Sequence, residues 1–207
     1  MRLHQPDSRD QGLGRKYFQP FTEIFKGKKR VLELGCGQGV FLEMLKEAGV
    51  AAVGVEIDEV LCCNARPRGL EVIQADIFDF LKETEEKFDG CFASHIVEHF
   101  APESVKDLFK LIHRVMEPDG LLVVVTPNIA NLRRAAGDFW RDPTHIRPYP
   151  ISALNKLLAQ SGWETVKSGY HTDRPFSLRR KIIYGLRNLV IGRYWGDDDL
   201  YVVAQKI

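Results

Sequence analysis

The stretch KKRVLELGCGQGVFLEMLKEAG, residues 28–49, restricts the fold more than any other part of the chain. Val31, Leu32 and Leu34 form a short apolar run that reads as a buried strand. The run passes straight into Gly35, Gly37 and Gly39 and then into a segment amphipathic at helical period, stopped by Gly49. A strand joined to a helix by a glycine loop commits the chain to a crossover, and crossovers build parallel sheets of one hand. The pattern then repeats in kind. AAVGVEI, GLEVIQADI, FDGCFASH and LLVVVTPN read as strands, separated by DEVLCCNAR (Asp58 a candidate N-cap), by FDFLKETEEK as a turn or short helix, and by PESVKDLFKLIHRVMEPDG as a long helix closing on Gly120. PISALNKLLAQSG adds a helix, and WETVKSGYHT and LYVVAQKI two last strands. The alternation predicts an α/β fold with an open, doubly wound sheet. Ahead of it, RKYFQPFTEIFKG spaces Tyr17, Phe18, Phe21 and Phe25 as a helix would.

Length and charge bound the rest. The 207 residues suit a single domain, expected to span 1–207 with a mobile start at 1–14 and an insertion at 173–198. A net charge of +1 carries no nucleic-acid footprint. The N-terminal residues lack an apolar core of the secretory kind, and no apolar run reaches membrane-spanning length, so a cytoplasmic protein is expected. Cys36, Cys62, Cys63 and Cys91 lack zinc-ribbon spacing and read as free thiols.

The strand ends carry the chemistry. The glycine loop lets a ligand approach the backbone and opens a helix with free amides. Glu56 closes the second strand, 21 residues after Gly35, where a carboxylate can accept from both hydroxyls of a ribose. Asp76 closes the third strand and can accept from an exocyclic adenine amine, with Ile77 to flank the ring.

VLELGCGQG, VGVEID, QADI, FDGCFASHIVEH and EPDGLLVVVTPN, in this order, resemble the motifs of class I S-adenosylmethionine-dependent methyltransferases. The chain is similar to the group with Glu-His after the fourth strand. That group includes ubiquinone-biosynthetic O-methyltransferases and many small-molecule and glycan-modifying enzymes. The resemblance covers about residues 15–172 and the final strand. It implies a Rossmann-like seven-stranded sheet, mostly parallel with the last strand antiparallel, and S-adenosyl-L-methionine as cofactor. It also implies cofactor contacts at Glu33, Gly35, Gly37, Glu56, Ile57, Asp76, Ile77, Ser94 and His95, with Arg15 and Tyr17 as further contacts from upstream.

Within SHIVEH, His95, Glu98 and His99 spell the H-x-x-E-H string of a class of zinc peptidases. A peptidase needs these residues on one helix, whereas here His95 ends a strand. Three readings stay open: His95, Glu98 and His99 hold a metal, His99 acts as a base, or the cluster lines the pocket and braces the next helix. Relatives in the ubiquinone pathway have Glu in place of His95, and there the set is associated with a metal.

After the fifth strand comes TPNIANLRRAAGDFWRDPTHIRPYP, about 25 residues without strand character at the ligand edge. Its DPTHIRPYP resembles a D-x-x-H-x-R segment of bacterial enzymes that modify surface polysaccharides or related small molecules. His145 is the expected general base, oriented by Asp142; alternatively Asp142 caps a turn and His145 packs on Trp140. Arg147, Tyr149 and Asn128 are expected to grip the acceptor, a small molecule or glycan with a hydroxyl to methylate. Residues 174–195 interleave arginines with aliphatic residues, which fits an amphipathic helix that lies on an anionic membrane or takes a lipid-linked substrate, or equally one that folds over the active site or forms a dimer face. The rival classes are an NAD-type oxidoreductase, disfavoured by G-x-G-x-G spacing, and a non-catalytic methyltransferase-like binding subunit.

Overall fold

The computed structural model describes residues 8–131, 134–171 and 198–207. Seven strands form one sheet in the order β3-β2-β1-β4-β5-β7-β6. They are β1 (Arg30–Leu34), β2 (Ala51–Glu56), β3 (Glu71–Gln74), β4 (Phe88–Ser94), β5 (Met116–Pro127), β6 (Trp163–His171) and β7 (Asp199–Lys206). The first five pair in parallel, and β7 runs antiparallel to both β5 and β6. The order reverses at β1, between β2 and β4, so a crevice opens there at the carboxyl ends of the strands.

Alternation along the strands divides the core between two faces. Leu32, Leu34, Leu122 and Val124 join one cluster with Leu108, Phe109 and Ile112 of α5 (Pro102–Val115) and Leu154 and Leu158 of α6 (Ile151–Ala159). Leu81 of α4 (Ile77–Glu83) belongs to the same side. Val31, Val123 and Val125 join the other cluster with Phe21 and Phe25 of α1 (Ser8–Ile24) and Phe41 and Leu45 of α2 (Val40–Glu47). The short α3 (Glu59–Ala65) completes that layer through Cys62 and Ala65. The predicted cap holds at Asp58, which accepts from the first amides of α3, and Asp76 caps α4 in the same way.

Two boundaries differ from expectation. The helix expected to close on Gly120 ends at Val115, and Met116–Gly120 belongs to β5. Pro118 explains this, since proline forbids a continuing helix and biases the residue before it to extended backbone. The register slips there, from Phe88 opposite Met116 to Gly90 opposite Leu121. At the other end of the chain, α1 begins at Ser8, ahead of Arg15 where the aromatic spacing starts, because that spacing marks only the packed face. All four cysteines are free thiols. Among the described residues, no helix is long and apolar enough to cross a membrane.

Candidate active site

A cavity of about 720 Å³ lies at the crevice and joins the glycine loop to the segment after β5. At one end the chain turns from β1 into α2 through Gly35, Gly37 and Gly39, all with positive φ. The amides of Gly35 and Cys36 both donate to the Val55 carbonyl, which ties the loop to β2. A Cβ on Gly37 would meet no atom within 4 Å, so its open face is free for a ligand; a Cβ on Gly35 would strike Ile96 Cδ1 at 2.4 Å.

Glu56 sits at the end of β2, with its oxygens 2.9 Å from the amides of Gly37 and Asp58. Glu33 is buried beside it, and its Oε2 has no hydrogen-bond partner. Burial, and then the nearby Glu56 charge, push the Glu33 carboxyl well above the usual carboxylate range. Asp76 spends Oδ1 on the α4 cap, and Ile77 follows it on the cavity wall. Ile57 also lines the cavity and is 65% exposed, an apolar side chain left open toward solvent.

The resemblance implied nine cofactor contacts, and the structure brings all nine to the cavity: Glu33, Gly35, Gly37, Glu56, Ile57, Asp76, Ile77, Ser94 and His95. Arg15 and Tyr17 are not on its wall. Arg15 pairs with Glu43 and Glu47 of α2. Tyr17 donates its phenol proton to Asp199 Oδ2 (3.0 Å), and burial, then Asp199, raises the phenol's pKa so that the proton stays. Phe18, one residue on, reaches the cavity instead; the helical spacing named it without separating it from its neighbour.

His95 follows β4 directly, in left-handed backbone with φ of 56°. Its Nδ1 lies 3.1 Å from Glu98 Oε1 and its Nε2 3.2 Å from the Tyr17 hydroxyl. Glu98 is fully buried, and its Oε2 accepts from Thr126 (2.9 Å). Burial alone would raise the Glu98 carboxyl, but the His95 imidazole, the backbone and Thr126 together hold it below its ordinary value.

His99, Asp142, Thr144 and His145 also line the cavity, brought there by the segment after β4 and the loop after β5. The loop is pinned by the amides of Ile146 and Arg147, both donating to the Glu98 carbonyl. Asp142 does not orient His145. Its Oδ1 accepts from the Thr144 amide (2.9 Å) and the Thr144 hydroxyl, which is the turn-capping alternative. His145 Nδ1 lies 2.6 Å from the Phe139 carbonyl, and its ring stacks on Phe139 rather than Trp140. A carbonyl only accepts, so Nδ1 carries the proton and Nε2 the lone pair. The His99 and His145 rings are 4.8 Å apart.

Three acceptor expectations fail. Tyr149 is 1% exposed and donates to the Phe100 carbonyl, so it braces the fold. Arg147 is exposed, with its guanidinium over the Tyr149 ring, and lies off the cavity wall. Asn128 is 3% exposed and caps a turn through Ala130. The sequence placed all three on the correct loop, but loop direction has no period to read. Thr144 carried no signal of its own.

The metal set also changes. Among the described residues, Glu98, His99 and His145 place ligand atoms within 4.8 Å of one another, whereas His95 falls outside that group. Both Glu98 oxygens are already engaged by His95 and Thr126. The basic insertion at 174–195 lies outside the described residues.

The cavity fits S-adenosylmethionine by its own features. Gly37 offers an open backbone face, Glu56 a carboxylate at a strand end, and Glu33 an unpartnered buried oxygen suited to a cationic group.

Comparison with known proteins agrees. A family model described as a methyltransferase domain matches residues 8–168. The chain is 26% identical over 117 residues to a mitochondrial ubiquinone biosynthesis O-methyltransferase of Bos taurus, covering 52% of this chain and 31% of that protein. It is 32% identical over 105 residues to the Brucella anthropi ubiquinone biosynthesis O-methyltransferase, covering 48% and 41%. The chain thus spans less than half the length of these relatives. A solved S-adenosylmethionine-dependent methyltransferase from Archaeoglobus fulgidus superposes with a TM-score of 0.80 at 28% identity, covering 95% of this chain and 94% of that one. A Synechocystis magnesium protoporphyrin IX methyltransferase, solved with bound SAH, shares the fold at 14% identity and a TM-score of 0.68, covering 100% and 90%. With its strand-end residues gathered on one cavity and its sequence matched over most of its length, this chain belongs to the methyltransferase-domain family, in its S-adenosylmethionine-dependent class.

Proposed function

We propose that this chain moves a methyl group from S-adenosylmethionine to a hydroxyl oxygen of a small-molecule or glycan acceptor. The observation that carries the reading is the pair of imidazoles, His99 and His145, side by side on the wall of the cavity that the glycine loop also lines. Each has its Nδ1 against an oxygen, which leaves Nε2 as the basic atom. The O-methyltransferase names among the relatives support oxygen as the target.

When bound, S-adenosylmethionine supplies a methyl carbon on a positively charged sulfur, which keeps the carbon–sulfur electron pair as the acceptor oxygen bonds to carbon. Gly35 and Gly37 would hold the cofactor by backbone, Glu56 by carboxylate, and Asp76 and Ile77 at the base. His145 or His99 takes the hydroxyl proton on Nε2 as the oxygen gains carbon, and histidine is matched to that task near neutral pH. Phe18, Ile96 and Phe100 on the cavity wall exclude water from the reacting atoms. Fixed geometry supplies much of the remaining acceleration, since the donor is already activated.

The test is a screen of hydroxylated acceptors for S-adenosylhomocysteine release, beginning with sugar nucleotides and phenols. Methylation of a hydroxyl supports the reading. Methylation of nitrogen alone, or cofactor binding with no turnover across the screen, overturns it, the latter in favour of the non-catalytic subunit.

A further inference from the structure

We propose that Thr144 is a positioning residue that makes His99 a proton acceptor: it links the Asp142 carboxylate to His99 Nδ1 and so holds the imidazole in the tautomer with a bare Nε2. This rests on the reading of the pocket as one that methylates a hydroxyl.

The argument follows one proton at a time. Asp142 Oδ1 lies against two donors of the same residue, the Thr144 amide at 2.9 Å and the Thr144 hydroxyl at 2.5 Å. The Thr144 hydroxyl, then its amide, hold the Asp142 carboxyl below its ordinary value, so it is ionised and only accepts. The single hydroxyl proton of Thr144 therefore goes to Asp142. What Thr144 Oγ1 offers His99 Nδ1, 2.9 Å away, is a lone pair. The Thr144 carbonyl lies 3.3 Å from the same nitrogen and also only accepts. Two acceptors face Nδ1, so Nδ1 carries the ring proton and Nε2 the lone pair.

The linkage also serves the charged state. When Nε2 takes a proton from the acceptor hydroxyl, the imidazolium keeps its Nδ1–H on Thr144, with the Asp142 charge one hydrogen bond behind. The arrangement shares the logic of an acid that orients a histidine, with a threonine hydroxyl between them. His145 reaches the same tautomer by another route, a backbone carbonyl that no side-chain substitution removes.

Long-range proton–nitrogen correlation spectra of the uniformly 15N-labelled full chain, at a pH where the imidazole is neutral, read the tautomer directly. His99→Gln assigns the resonance. The expected result is a protonated Nδ1 at His99 in the parent and in Thr144→Ser, and a mixture of tautomers in Thr144→Val, where only the long contact of 3.3 Å to the residue-144 carbonyl is left, against the 2.6 Å that fixes His145. Asp142→Ala, which frees the threonine proton to point at His99, is expected to give the mixture too and covers the case in which the valine variant does not fold. With an acceptor from the screen, Thr144→Val is expected to lower turnover about ten-fold or more, and Thr144→Ser to restore it to within about three-fold. A protonated Nε2 in the parent, or an unchanged tautomer in both Thr144→Val and Asp142→Ala, overturns the proposal. If the tautomers behave as expected and no hydroxyl is methylated, the linkage stands and the functional reading falls.

Discussion

The two ends of the cavity are built on different principles. The cofactor end is made from the terminal residues of β1, β2 and β3, where one hydrogen-bonded sheet fixes every position; Gly35 and Cys36 are even tied to Val55 across the strands. The proposed acceptor end is made from the loop after β5, folded back on the Glu98 carbonyl and held by short-range capping. A sheet edge places ligand groups by topology, whereas a loop must place them by side-chain contacts. Binding should therefore tolerate change at the acceptor end, and turnover should not.

Four experiments bear on that division, and a fifth on its chemistry. The largest effect is expected from His145→Gln, which should lower turnover at saturating acceptor by about 10²–10⁴-fold while leaving cofactor affinity, measured by calorimetry, within about two-fold. Wild-type turnover would remove His145 from the chemistry and leave His99 alone. Glu56→Ala should do the reverse, weakening cofactor affinity about 10–100-fold, since a hydrogen bond to a charged group contributes about 1.5–3 kcal/mol. Tyr149→Phe should cost about 1 kcal/mol in chemical denaturation, the worth of its hydrogen bond to Phe100, and leave the acceptor KM unchanged. A raised KM would return Tyr149 to the acceptor site.

The fourth concerns Glu33. Its folded-state carboxyl is raised by burial and by Glu56, so its contribution to stability is fully present below the unfolded value of about 4.3 and is lost as pH rises toward the folded one. Glu33→Gln is therefore expected to raise the melting temperature at pH 8, to leave it unchanged at pH 4, and to weaken cofactor binding. A variant less stable at pH 8 would contradict this account. The smallest effect, none, is expected from chelator: with both Glu98 oxygens engaged by His95 and Thr126, dialysis against EDTA should leave turnover as it was. Loss of activity restored by added zinc would assign Glu98, His99 and His145 to a metal.

The same division explains how much could be read beforehand. Gly35, Glu56 and Asp76 announce themselves because a strand has a period and an end, and the ends of consecutive parallel strands must meet. His145 and Asp142 are legible as residues of this loop, but the sequence leaves two readings of Asp142 open, and only the structure shows that it turns onto its own neighbour Thr144 rather than onto His145. Tyr149 reads as a polar hand from sequence alone; only the Phe100 carbonyl, 49 residues away, makes it structural. His95 could be placed at a strand end but not turned, because the groups its ring meets, Tyr17 and Asp199, are remote in the chain.

The antiparallel edge of the sheet has a consequence for how such a chain can diversify. β6 and β7 pair up to their very ends, with His171 directly opposite Asp199, so the chain departs and returns at one anchored doorway beside Tyr17. Whatever joins these two residues is closed at its base by the ladder. Doubling the length of such a connection adds only about 0.6 kcal/mol of closure entropy. The register beneath it stays as it is. A connection of another length fits the same doorway, since the ladder at its base is paired independently of what it carries.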